Sequence, residues 1–435
     1  MAVRSKDGTY RKTRGPRWQW PFVVRILVVA AMFFLLGMLL SRFTAFWRPA
    51  GQKTIPPVRL GIENLADYQE VFRGRRVGLI TNATGINSQF VPSAEILAAK
   101  TNLVALFAPE HGLRGTAVAG AAIPHEKDVR TGLPIYSLHG DTRRPTAAML
   151  QNIDVLAFDI QDIGARPYTY ISTLAYAMQS AREQGKTFVV FDRPNPVGGE
   201  KVAGGLLKPA FSSFIGLYPI PLRHGLTVGE LARLFNEEFG IGAKLVVIPM
   251  QGWRRSLQQE DTGLPWIMTS PNIPTPEAAR AYCATALFGG SNVSEGIGTT
   301  RPFELVGAPW LDGRKLAERL NSYKLPGVFF RSVQFTPQWG KYQGRTCQGV
   351  QIHVLDRQAF EPVAVGLYLL QEIRAMGGAQ FKWNAPKPGE RWMIDLYEGG
   401  PELRQGRAGA ANLLESWRRE AAEFQQRTAK YRLYP

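Results

Sequence analysis

Residues Val155–Gly199 read VLAFDIQDIGARPYTYISTLAYAMQSAREQGKTFVVFDRPNPVGG, and their pattern decides the fold. VLAFDI (Val155–Ile160) is a short apolar, β-rich run that ends in polar residues. Thr173–Gln184 has helical composition and spacing. TFVVFD (Thr187–Asp192) is a second apolar run, again ending in a polar loop. A buried strand, a helix and another buried strand predict a β-α-β unit. The same alternation continues outward through RVGLIT (Arg76–Thr81), a helix over Ser93–Lys100, LVALFA (Leu103–Ala108) and KLVVIP (Lys244–Pro249). Strands this continuously apolar predict an α/β fold, with a parallel sheet covered by helices on both faces. No GxGxxG or GxxxxGK[ST] follows any strand, so neither a dinucleotide nor a P-loop site is expected, and no cofactor is called for.

Polar residues gather where the strands end: Thr81–Gly85 (TNATG), Pro109–Gly112 (PEHG), Gln161–Arg166 (QDIGAR) and Arg193–Pro196 (RPNP). In open parallel sheets the carboxyl edge is where ligands bind. Asn82, Glu110, His111, Asp159, Asp162, Arg166, Tyr168 and Asn195 are therefore candidate site residues. A glutamate shielded by Phe107 is expected to have a raised pKa and to donate a proton; the competing reading pairs Glu110 with Arg114. Asp159 and Gln161 share one direction at strand period two, and Asp162 falls in the loop. Arg166, Arg223, His224 and Arg301 are candidates for an anionic substrate group, because guanidinium offers carboxylate a planar fork; each competes with an ordinary ion-pair role.

The second half is loop-rich. Ser270–Pro276 (SPNIPTP) leads into a short helix, and Gly289–Glu304 (GGSNVSEGIGTTRPFE) has the composition of a site-lining loop, adding Asn272, Asn292, Glu295 and Arg301 to the candidates. A helix is expected after Trp310, strands over Val328–Thr336 and Gly349–Leu355, and helices over Ala364–Ala375 and Gly406–Arg427. No Gly-x-Ser-x-Gly elbow and no metal-ligand spacing occurs, which leaves an amidase or esterase without a nucleophile and makes a metal site unexpected.

Of the formal charge of +17, +8 lies in residues 1–50, where nine Lys/Arg face Asp7 alone. The mildly basic remainder has no Lys/Arg runs with interleaved aromatics, so no nucleic-acid partner is expected. Ile26–Leu40 (ILVVAAMFFLLGMLL) is uncharged, and only Arg25 interrupts the run back to Phe22. The expected organisation is a basic cytoplasmic tail (1–21), a transmembrane signal anchor (22–41) and a linker (42–58). The positive-inside rule then puts the catalytic part outside the cytoplasmic membrane, in the periplasm or at the cell surface. A cleaved signal peptide is the alternative. Cys283 and Cys347, the two cysteines, read either as a pair or as two buried thiols.

FAPEHGLRG (Phe107–Gly115), TGLPIYSLHG (Thr131–Gly140), FDIQDIGARPYTYISTL (Phe158–Leu174), DRPNPVGG (Asp192–Gly199), RHGLTVGELA (Arg223–Ala232), SPNIPTPE (Ser270–Glu277) and SNVSEGIGTTRPFELVGAPW (Ser291–Trp310) together resemble the NamZ-type exo-β-N-acetylmuramidase family. The resemblance runs from about residue 60 to the C-terminus. It implies a Rossmann-like domain (59–250), a loop-rich active-site segment (251–310) and a smaller α/β accessory domain (311–435). It also implies release of N-acetylmuramic acid from the non-reducing end of peptidoglycan fragments. On that chemistry Glu110 is expected as general acid and Glu295 as the second carboxylate, with Asp159 its rival, while Arg166 beside Tyr168 faces the lactyl carboxylate. The family commonly carries an acid where this chain has Gly289 and an arginine where it has Ile297. A peptidoglycan-fragment-binding protein with weakened catalysis is accordingly the competing expectation; the oligomeric state is left open.

Overall fold

The computed structural model describes residues 58–406 and 408–435. The expected anchor at 22–41 lies outside them; among the described residues no helix is long and apolar enough to cross a membrane. The large sheet has seven strands: β1 (Arg76–Thr81), β2 (Asn102–Ala108), β3 (Glu126–Lys127), β4 (Pro134–Ser137), β5 (Val155–Asp159), β6 (Thr187–Phe191) and β7 (Lys244–Ile248). They lie in the order β3-β4-β2-β1-β5-β6-β7, and every pair except β3·β4 is parallel. Counted alone, the six parallel strands run third, second, first, fourth, fifth, sixth, the doubly wound order whose switch point lies between β1 and β5.

Alternation along each strand explains why both faces are apolar. Val77 and Leu79 of β1, with Val155 and Ala157 of β5, pack toward Leu60, Leu65 and Phe72 and toward Leu97 of α1 (Ser93–Lys100). Ile80, Leu156, Phe158, Phe188 and Val190 pack on the opposite face. There they meet α2 (Tyr170–Glu183), α3 (Val228–Glu237) and α4 (Pro276–Thr285). Such a sheet has no solvated face, hence the unbroken apolar runs.

The smaller sheet is antiparallel, β8 (Leu305–Ala308), β9 (Val328–Phe335) and β10 (Cys347–Val354) in the order β8-β10-β9. Its core joins α5 (Gly313–Ser322), α6 (Pro362–Gly377), the short α7 (Met393–Glu398) and α8 (Ala410–Arg427). Asp312 caps α5 by accepting from the Arg314 and Lys315 amides. Cys283 in α4 and Cys347 in β10 are separate buried thiols, which decides against their pairing; burial pushes both up to about 11.

Candidate active site

The loop after β2 turns sharply, because His111 (φ 71°) and Gly112 (φ 77°) are successive left-handed residues. His111 is tied to the Ala117 carbonyl through Nδ1 at 2.7 Å. This turn holds the Glu110 side chain, 8% exposed, where its carboxylate accepts from the Gly120 amide (2.8 Å) and from Thr169 Oγ1 (2.6 Å). His139 Nε2 lies 3.8 Å away. Burial pushes the Glu110 pKa up, but the bonds from Thr169 and Gly120 and the facing His139 and His111 outweigh it, leaving the carboxyl below the usual range. The raised pKa expected from sequence is thus corrected: desolvation is present and is overcompensated by donors. Arg114 pairs with Asp128 instead (3.4 Å), so the alternative salt bridge to Glu110 is absent.

After β5, Asp162 accepts from the Gly164 amide (2.7 Å) and faces His224 Nε2 at 3.3 Å. His224 Nδ1 accepts from the Leu226 amide, which leaves the ring proton on Nε2 to point at Asp162. Gly164, at φ 80°, has no room for a side chain: a Cβ there would lie 2.4 Å from Asn195 Oδ1. Oδ1 of Asp162 is buried without a partner among the described residues. Tyr168 donates to Thr269 Oγ1 (2.7 Å) and packs edge-on against Tyr170 and Tyr282. Burial raises its phenol pKa first, and the charges of Asp162 and Glu110 add to that.

From the glycine-rich loop, Glu295 is 7% exposed and ion-paired to Lys341 Nζ at 2.7 Å. Lys341 also donates to the carbonyls of Phe288 (2.7 Å) and Val293 (3.0 Å), so its three protons are all directed. Burial raises the Tyr397 phenol pKa, and the charges of Glu295 and Glu110 add to that. Tyr397 also accounts for Gly289, since a Cβ at that position would meet its ring and hydroxyl at 2.9 Å.

Glu110, His111, Asp162 and Tyr168 thus come from the loops at the carboxyl edge of the sheet, with His224 behind Asp162, and Glu295 comes from the glycine-rich loop. Other expected residues are turned to structural work. Asp159 is fully buried in an ion pair with Arg193 (2.5 Å) and accepts from Ser93, so it is not free to attack a sugar. Arg166 is fully buried too, and its guanidinium donates to four main-chain carbonyls, those of Gly205, Ile220, Tyr397 and Glu398; it is not aimed at a ligand. Arg223 is buried and donates to the Val197 carbonyl. Asn82 Oδ1 closes a turn on Thr84, and Asn195 bridges Val197 to Leu226. Asn292 pins the chain at Gln380 and Lys382; Arg301 is exposed beside Glu304. Asn272 is half-buried in its loop. Sequence reasoning missed Thr169, His139, Lys341 and Tyr397. The motif containing His139 was visible, whereas nothing local marks Lys341 as the partner of a residue 46 positions earlier. Among the described residues no three His, Cys, Asp or Glu converge as a metal cluster.

A family model described as the N-terminal part of the exo-β-N-acetylmuramidase NamZ matches residues 77–277, and its C-terminal counterpart matches 280–434. Peptidoglycan β-N-acetylmuramidase NamZ of Bacillus subtilis (strain 168) is 46% identical over 387 residues, covering 87% of this chain and 92% of that protein. Two crystal structures of DUF1343 family proteins from Bacteroides fragilis NCTC 9343 superpose with TM-scores of 0.80 and 0.71 at 38% and 29% identity. Each covers 87% of this chain and 99% of its own.

Proposed function

The chain belongs to the NamZ exo-β-N-acetylmuramidase family, and from that premise we propose that the cluster around Glu110 and Glu295 is where it cleaves its glycosidic bond. The protein is a glycoside hydrolase that acts on peptidoglycan fragments and releases N-acetylmuramic acid from their non-reducing end. The observation that supports the site assignment is the pair of near-buried glutamates, Glu110 at the carboxyl edge of the parallel sheet held by Thr169 and Gly120, and Glu295 in the glycine-rich loop held by Lys341.

Cleavage needs a proton for the leaving oxygen and a carboxylate facing the anomeric carbon. Glu295, ion-paired to an ammonium whose remaining protons are fixed by carbonyls, supports the anionic role, as nucleophile or base. Glu110 is the proton-transferring group. Desolvation is the largest single influence on it, and a sugar that expels water from the crevice strengthens that influence, pushing the carboxyl toward its protonated form. The buried Asp162 Oδ1, which lacks a partner among the described residues, supports a role in accepting from a sugar hydroxyl once the substrate rearranges the loop around it. A chromogenic N-acetylmuramide and its N-acetylglucosaminide counterpart test the reading: release is expected from the muramide, and release from neither would overturn it.

The apolar run at 22–41 and the basic residues before it support anchoring in the cytoplasmic membrane with the hydrolase outside, where peptidoglycan lies. Retention of the full chain in washed membranes, released only by detergent, is the expected result. Recovery in the soluble fraction after gentle lysis would contradict it.

A further inference from the structure

With Arg166 committed to backbone, the substrate's acid group lacks the cation expected for it. A muramic acid residue differs from glucosamine by a lactyl ether ending in a carboxylate, and selectivity for it calls for a positive charge near the catalytic cluster. Most arginines of the sheet edge are occupied: Arg193 by Asp159, Arg114 by Asp128, Arg130 by Glu95 and Arg144 by Glu183. Arg143, by contrast, is exposed and forms no ion pair among the described residues.

Its position is fixed by its neighbours. Thr142 Oγ1 accepts from the Arg144 amide and donates to the Arg144 carbonyl, closing a turn around Arg143. Arg144 clamps that turn to α2 through Glu183 (2.5 Å) and Ser180 (3.2 Å). The Arg143 guanidinium carbon lies 4.3 Å from the centroid of Phe214. Phe214 in turn packs against the His139 ring at 5.8 Å, and Tyr176 of α2 stacks on it at 6.1 Å. His139 is the imidazole facing Glu110. A guanidinium laid on an aromatic ring keeps its in-plane N–H fork free, and that fork matches a carboxylate in two-point geometry. Burial lowers the His139 pKa, and the charge of Arg143 lowers it further, so Arg143 lies within electrostatic reach of the residue next to Glu110.

We propose that Arg143, shelved on Phe214, binds the lactyl carboxylate of the substrate and sets the preference for muramic acid over glucosamine. The proposal rests on the muramidase reading of the site and names its specificity determinant.

The test crosses enzyme with ligand: wild type, R143A and R143K against a chromogenic N-acetylmuramide, the same compound with its carboxylate converted to an amide, and the glucosaminide. Calorimetric binding of free N-acetylmuramic acid runs in parallel. Charge-assisted hydrogen bonds of this kind correspond to roughly 10- to 100-fold in kcat/KM. R143A is expected to lose about that factor on the muramide and none on the glucosaminide, with an unchanged melting temperature. Wild type loses a similar factor when the carboxylate is masked, R143A loses nothing more, and R143K falls between. R143A retaining the wild-type ratio of muramide to glucosaminide, or losing both equally, overturns the proposal. Wild type that cleaves neither glycoside yet binds N-acetylmuramic acid in an Arg143-dependent way would sink the hydrolase reading and uphold this one.

Discussion

Replacing Arg166 by methionine separates a structural cation from a substrate-binding one. The guanidinium donates to Gly205 (3.0 Å), Ile220 (2.9 Å), Tyr397 (2.8 Å) and Glu398 (2.6 Å), so it ties the β5–α2 loop to the 205–220 segment and to α7, the latter more than two hundred residues away. Its burial is costly in itself, lowering its pKa to about 10. Methionine removes that desolvation cost but leaves four main-chain carbonyls without their donor, each worth about 1–3 kcal/mol when buried. Net losses on breaking buried charged networks are about 3–5 kcal/mol. At roughly 2.1 cal/mol/K of unfolding entropy per residue, a unit of this size shifts by about 1–1.5 °C per kcal/mol, so a fall of roughly 4–7 °C is expected. Thermal unfolding followed by circular dichroism measures it, alongside the muramide-to-glucosaminide ratio of the folded fraction. A melting temperature within about 1 °C of wild type, together with lost discrimination, would refute the reasoning and return Arg166 to the substrate.

Three further outcomes follow from the same contacts. Lys341→Met frees Glu295 from its ion pair and is expected to lower kcat by about 10- to 100-fold, with a smaller change in KM, in steady-state assays; unchanged kcat would show that Glu295 needs no positioning. Gly289→Ala drives a methyl into Tyr397 and should cost about 1–3 kcal/mol in denaturant unfolding, whereas a neutral result would mean that the ring moves aside freely. Burial raises Asp192 to about 7, so the folded state binds its proton more tightly than the unfolded chain does; this group's contribution to stability falls as pH rises from about 4 to 7. Asp192→Asn should flatten that part of the stability–pH curve, and an identical slope in both proteins would contradict the assignment.

The sheet was legible because strands buried on both faces are written as unbroken apolar runs: Arg76–Thr81 was read at its observed ends and Val155–Asp159 to within one residue. Pro134–Ser137 was not, being four residues long and opening on a proline, which sits at the first position of a strand without spoiling the ladder. Leu305–Ala308 was hidden for a similar reason inside a loop-like stretch. At the site, residue type and strand-end position were enough to find Glu110, His111, Asp162 and Glu295. They could not say which polar side chains face inward. Asp159 closes one apolar strand and Glu110 follows another, yet Asp159 meets Arg193 from the neighbouring strand end, while Glu110 meets a hydroxyl and an amide. Such partners are set by the register of β5 against β6 and by loop paths, which local sequence does not encode. Lys341 and Tyr397 reach the site from the smaller sheet's loop and a short helix, and their roles exist only once the chain is folded.

Whether Glu110 transfers the proton is decided by turnover of a chromogenic N-acetylmuramide by Glu110→Gln, compared with wild type at equal folded concentration. Glutamine keeps the size of the side chain, its Oε1 can still accept from the Gly120 amide and its NH2 can donate to the Thr169 hydroxyl, so the melting temperature should change little, while proton transfer is lost. A fall in kcat of about a hundredfold or more is expected. Turnover close to that of wild type would contradict it.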